Sequence, residues 1–139
     1  MSENPYFTSF FFDHMFFGFS FIISLVLLAF MIRRSNLRLD REAGREPLYK
    51  VACSGQIGWW RYRGPLIKVR MYEDFLVIVA FHHQILIHYD DIDAIVPSNS
   101  FFRWGIYIKH HDPNAPSRIR LRMNSPEMMA VFEQYKKSA

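Results

Sequence analysis

The chain has 139 residues, 50% of them hydrophobic, 17% aromatic and 22% charged, and its mean hydropathy is −0.04. A composition this rich in aromatic and branched residues excludes disorder, and the length leaves room for one compact core rather than a multidomain enzyme. Charge is unevenly placed: only Glu3 and Asp13 precede Arg33, and all 17 bases lie from Arg33 onward against 11 acids, so a net +6 follows a net −2. That asymmetry predicts a membrane segment joined to a small basic domain.

After a short tail (residues 1–14), Met15 to Ile32 form 18 uncharged residues in which only Gly18, Ser20 and Ser24 depart from apolar. At about 1.5 Å per residue the run is near the lower limit for a transmembrane helix. Phe10, Phe11 and Phe12 can lengthen it, which places Asp13 and His14 at the headgroup level. A helix that is apolar all round has nowhere to be buried in a protein of this size. A cleaved signal peptide starts with a basic region and ends in small residues. Here the leading flank is acidic and the run ends Met31-Ile32-Arg33-Arg34, so a retained span is expected.

Arg33, Arg34, Arg38, Arg41 and Arg45 follow the run closely and no base precedes it. The positive-inside rule therefore predicts an inner-membrane protein with its N-terminus outside and its C-terminal domain in the cytoplasm. Ser20 and Ser24, with Gly18 nearby, have the small-xxx-small spacing that lets a second helix approach closely. The Phe-rich half (Phe16, Phe17, Phe19, Phe21) suits lipid, a partner helix, or a pigment or quinone. His14 at the interface is read as solvated, and no cofactor is expected.

Residues 33–56 read as a basic stalk and linker. No helix breaker occurs before Gly44, so the membrane helix is expected to run to about Ala43, with Gly44 terminating it and Pro47 following. The pattern then changes to period two. Trp59–Arg63 is a first strand closed by Gly64-Pro65, and Leu66–Met71 alternates Ile67, Val69 and Met71 against Lys68 and Arg70. Tyr72-Glu73-Asp74 turns into the apolar strand Phe75–Ala80, and His82-His83-Gln84 turns into Ile85–Tyr89. Asp90–Val96 reads as a helical or irregular connection ended by Pro97. Phe102–Lys109 and Arg118–Met123 alternate again around the loop His111–Pro116. Ser125, Pro126 and Glu127 start a last helix whose apolar stripe is Met128, Met129, Val131, Phe132 and Tyr135. Five or six antiparallel strands and a closing helix make residues 57–139 an α+β domain, a curled sheet or barrel capped by that helix.

The run PLIKVRMYEDFLVIVAF, then QILIHYDDIDAIVPS, WGIYIKH, RIRLRM and SPEMMAVFEQY resembles the bacterial pleckstrin-homology-like group, which includes GRAM-like domains. The likeness covers about residues 57–137 and lies in strand order and spacing, the Tyr89-Asp90-Asp91-Ile92 step and the closing helix. It implies a small membrane-tethered module that binds or scaffolds rather than catalyses.

Chemistry is sparse in the sequence. The glycines form no phosphate-cradling loop, and the lone Cys53 excludes internal disulfides and multi-cysteine zinc sites. His82-His83 and His110-His111 sit at strand ends, but neighbours on a strand face opposite ways, so they read as solvated turn residues rather than co-ligands. No metal, cofactor or enzyme activity is expected. The sharper features are cations on one side of their strands (Lys68-x-Arg70, Arg61-x-Arg63, Arg118-x-Arg120-x-Arg122) and the aromatic pairs Trp59-Trp60 and Phe101-Phe102. One member of each aromatic pair is expected to enter the core and the other to meet the membrane interface or a partner. Two roles follow. The first is a single-span accessory subunit that packs Gly18, Ser20 and Ser24 against integral membrane subunits and docks its domain on them. The second is a tethered module in which Lys68, Arg70, Arg118, Arg120 and Arg122 bind anionic phospholipid. Nucleic acid is not an expected partner, because the membrane-proximal arginines largely explain the pI of 9.4.

Overall fold

The computed structural model describes residues 5–100, 103–123 and 126–137. The chain divides into two compact units, Met1–Arg33 and Arg34–Ala139. The first is formed by helix α1 (Pro5–Ser35). Within α1, Phe12–Arg34 is 23 residues long and apolar enough to cross a membrane. Its side chains from Phe12 to Phe30 are exposed, as lipid-facing groups would be. The Ser24 hydroxyl donates to the Ser20 carbonyl at 2.9 Å, so this serine satisfies itself along the helix. Open space surrounds Gly18 where a Cβ would stand.

The helix does not continue to Ala43. It stops at Ser35, and after an extended stretch a short 3-10 turn forms at Asp40–Glu42. Tertiary contacts override helix propensity here: the extended stretch lets Leu39 pack on the sheet and delivers the Glu42 carboxylate to Arg70. Gly44, with φ 71, follows this turn rather than a long helix.

The second unit is α+β: seven antiparallel strands curl into a half-barrel, followed by helix α2 (Pro126–Lys136). The strands are β1 (Tyr49–Ile57), β2 (Trp60–Met71), β3 (Phe75–Val79), β4 (Gln84–His88), β5 (Ile92–Ser100), β6 (Arg103–His110) and β7 (Ile119–Arg122), in the order β4-β3-β2-β1-β7-β6-β5. β1 occupies residues expected to be linker. The two segments expected as separate strands, Trp59–Arg63 and Leu66–Met71, are one strand, because Gly64-Pro65 forms a bulge inside β2 instead of closing it. Cys53 pairs with Ile67 and Gly55 with Tyr62, so three extra residues are accommodated on the β2 side. Asp90–Val96 is not a helical connection: a 3-10 turn at Tyr89–Asp91 leads into β5.

Ile57, Ile67, Val69, Leu76, Ile78, Ile108, Ile119 and Leu121 fill the concave face, and Met128 and Phe132 of α2 close over them. Phe132 meets Tyr89 edge-on at 5.8 Å between ring centroids. A smaller cluster, Tyr72, Phe75, Val77 and Val79, lies on the outer face under Leu39 and Leu86. The 36–46 segment is therefore a strap packed on the sheet.

Candidate functional site

The sheet separates charge by strand. β2, β1, β7 and β6 are neighbours, and together they carry nine Lys and Arg and no Asp or Glu. Register brings cations from different strands onto one outer face. Gln56 of β1 pairs with Arg61 on one side and Arg120 on the other, and Arg120 pairs with Tyr107 of β6. Alternation sends Ile119 and Leu121 inward and Arg120 and Arg122 outward. Arg61, Arg63, Lys109, Arg118, Arg120 and Arg122 are all exposed, and among the described residues none forms an ion pair. The Arg120 guanidinium lies 5.6 Å from the centre of the Tyr107 ring.

Gly58 and Trp59 make the two-residue turn between β1 and β2. Gly58 has φ 58, as a glycine-first hairpin turn requires, and its N–H donates to the Arg118 carbonyl at 2.7 Å. The turn thus sits beside the start of the arginine row. Neither tryptophan enters the core: Trp59 is 94% exposed and Trp60 53%. Trp60 stacks on His82 at 4.2 Å instead. Phe101 and Phe102 lie outside the described residues.

Lys68 and Arg70, taken together as lipid ligands from sequence, have different environments. Arg70 is buried: its Nε donates to Glu42 Oε1 at 2.6 Å, and its Nη2 donates to Oε2 at 2.9 Å and to the Leu37 carbonyl at 2.8 Å. The Tyr72 hydroxyl and the Leu39 N–H complete the shell of Glu42 at 2.8 and 2.6 Å. Burial by itself raises the Glu42 pKa, but the hydrogen bonds from Arg70, Leu39 and Tyr72 outweigh it and hold the carboxyl below its ordinary 4.5. Arg70 therefore anchors the strap. Lys68 remains partly exposed and, among the described residues, donates to the neutral Asn36 side chain.

Beside Lys68 runs a groove of about 440 Å³ lined by the strap and by β1 and β2, including Asn36, Arg38, Lys50, Ala52, Lys68 and Arg70. Lys50 and Arg38 were missed in the sequence because each needs an unforeseen element. Lys50 faces Arg70 only once β1 exists as a strand, and Arg38 lines the groove only once the strap leaves the helix.

The remaining reactive groups are engaged locally. Burial pushes the Cys53 thiol up to about 12. The Tyr62 hydroxyl lies 2.7 Å from His83 Nδ1, and burial lowers the His83 pKa. His110 Nε2 lies 2.8 Å from the Pro116 carbonyl, while His111 is raised by Asp93 at 2.9 Å, with Asp91 adding its charge. Among the described residues no three His, Cys, Asp or Glu side chains converge to hold a metal ion. No family model, curated protein or solved structure matches the chain.

Proposed function

We propose that the protein is a single-pass bacterial inner-membrane protein whose cytoplasmic domain is a non-catalytic, pleckstrin-homology-like module docking on anionic phospholipid. The observation carrying this reading is the acid-free set of four adjacent strands with its row of outward cations, which form no ion pair among the described residues. Each such cation contributes on the order of 1 kcal/mol beside an anionic leaflet. Trp59 at the hairpin tip adds an amphipathic ring of the kind that settles at headgroup depth. The meander β1–β4 continued through β7, β6 and β5, with a helix over the open side, fits the resemblance seen in the sequence. The five arginines after the span support the orientation with the domain inside. The protonated, buried Cys53 and the locally bonded histidines favour binding over chemistry.

The test uses the full chain carrying Trp60→Phe and Trp104→Phe, reconstituted in nanodiscs containing brominated acyl chains. Trp59 emission is expected to be quenched in phosphatidylglycerol-containing discs and to recover with Arg118→Glu, Arg120→Glu and Arg122→Glu combined. Equal quenching in purely zwitterionic discs, or quenching indifferent to the charge reversals, rejects the reading.

A second reading, an accessory subunit of a membrane complex, draws on the exposed apolar surface of α1 and on Trp59, a side chain type that anchors protein interfaces. Gly18, Ser20 and Ser24 would face the partner helix. Purification in mild detergent tests it: migration alone at about monomer mass rejects the reading, and a stoichiometric companion supports it.

A further inference from the structure

We propose that strand β4 is a pairing edge for a second copy of this chain, the two β4 strands joining antiparallel about a twofold axis at Leu86. The pairing does not rest on lipid docking by the arginine row. The open seven-stranded sheet has two edges, β4 and β5. An edge strand leaves a row of N–H and C=O groups without ladder partners, and proteins blunt such edges with charge, proline, bulges or a covering element. β5 carries all of these. It contains Asp93 and Pro97, its register shifts between Ile92 and Ala94, and Lys136 of α2 donates to the carbonyls of Ile92 and Asp93. β4 reads Gln-Ile-Leu-Ile-His, with no charged residue and no proline, and its register with β3 runs unbroken from Gln84 to His88.

The turn before β4 identifies which groups face the edge. Ala80 and His83 exchange both backbone hydrogen bonds, at 2.8 and 3.2 Å. Bonded and non-bonded pairs alternate along an antiparallel ladder. Ile85 and Ile87 therefore bond to β3, while the N–H and C=O of Gln84, Leu86 and His88 point to the open edge, where no hydrogen bond reaches them among the described residues. Pairing about Leu86 sets these groups against themselves. Leu86 faces Leu86 of the second copy and Gln84 faces its His88, so every outward donor meets an acceptor and no like charges are opposed. Leu86 packs beside the outer cluster of Tyr72, Phe75, Val77 and Val79, which then continues across the axis. His88 Nε2 lies 3.1 Å from Arg41 Nη1. A guanidinium can only donate, so Nε2 accepts and Nδ1 carries the ring proton. That N–H is left to donate to the Gln84 side-chain carbonyl of the second copy. This self-complementarity favours a second copy over an unrelated strand. The contact is also closed: it consumes both β4 edges and leaves only the blunted β5 edges, so association stops at two.

The experiment uses the full chain in phosphatidylcholine vesicles, which hold the apolar helix α1 in lipid and present no anionic headgroup. Gln84→Cys and His88→Cys chains are made separately, reconstituted alone or mixed in equal amounts, and oxidised with copper phenanthroline. The pairing places residue 84 opposite residue 88 with Cα atoms about 5.5 Å apart, inside disulfide range. Identical positions lie about 14 Å apart along the strands, too far to bridge. The expected result is a disulfide dimer in the mixture, several-fold above either variant alone. Leu86→Lys added to both chains opposes two lysines at the axis and should cut the yield roughly tenfold. The unaltered chain is the blank, because its single thiol, Cys53, is buried and protonated. Absence of a cross-link in the mixture overturns the proposal, as when a different protein's strand is the natural occupant. Equal cross-linking by the single variants, the mark of chance collision or another register, overturns it too. So does a cross-link that survives Leu86→Lys in chains with an unchanged near-ultraviolet spectrum. The comparison of mixed with single variants decides the matter even where Leu86→Lys disturbs the fold.

Discussion

Glu42 and Arg70 show how one residue pair decides what a neighbouring segment does. A bidentate, buried pair is sensitive to losing one partner, because the remaining charge is left without water or counter-ion. Glu42→Gln is therefore expected to destabilise the domain by about 3 kcal/mol, read as a lower near-ultraviolet thermal midpoint. Glu42→Gln combined with Arg70→Met should recover much of that loss. The pH dependence has a definite sign. The Glu42 carboxyl is depressed in the folded state, so its contribution is fully present above its ordinary 4.5 and disappears as pH falls through the lower folded value. The gap in midpoint between the wild type and Glu42→Gln should be constant near neutrality and narrow only in acid. A gap that narrows toward alkaline pH, or one flat through acid, contradicts this account. Sequence alone named Arg70 as a ligand because alternation reports which face a side chain takes. It does not report which loop will cover that face.

At the level of elements, β7 is held between two glycines. A Cβ on Gly55 would lie 2.2 Å from the Arg120 carbonyl oxygen, and one on Gly105 would lie 2.3 Å from the Leu121 carbonyl oxygen. Both obstacles are backbone, so the strands must separate rather than a side chain rotate. Gly55→Ala and Gly105→Ala should each cost about 3 kcal/mol, the upper range for overpacking, and should raise amide exchange along β7. Gly18→Ala, with open space around it, should leave helix content unchanged or higher. An unaltered β7 in Gly55→Ala would show that the close approach is not required.

The same strands explain what was legible in the sequence. β3, β6 and β7 announce themselves through strong apolar runs or clean alternation. β1 was hidden because its alternation, Tyr49, Val51 and Cys53 against Lys50 and Ala52, breaks at Gly55, beside Ser54, where pairing with β7 begins. β5 was hidden because the register shifts between Ile92 and Ala94, leaving buried Ile92 and Ile95 three apart, which imitates a helix. Pro97 is tolerated there because β5 is an edge strand. The arginine row was visible from spacing, whereas the groove depended on β1 and the strap and so was not.

For the molecule as a whole, the division of charge sets how binding should respond to salt. Among the described residues, acids occupy turns, loops and helices, with Asp93 the one acid in a strand, while cations line four adjacent strands. A spread row of exposed arginines acts through a field that is screened over about 10 Å at 0.1 M salt and about 3 Å at 1 M. Raising salt from about 0.1 M to about 1 M should therefore abolish the phosphatidylglycerol-dependent quenching of Trp59. The response is measured by emission on the reconstituted sample. Quenching that survives about 1 M salt would mean that apolar insertion of Trp59, not the field of the arginine row, holds the domain at the bilayer. Loss of quenching over that range would assign the sheet face to attraction toward a charged surface.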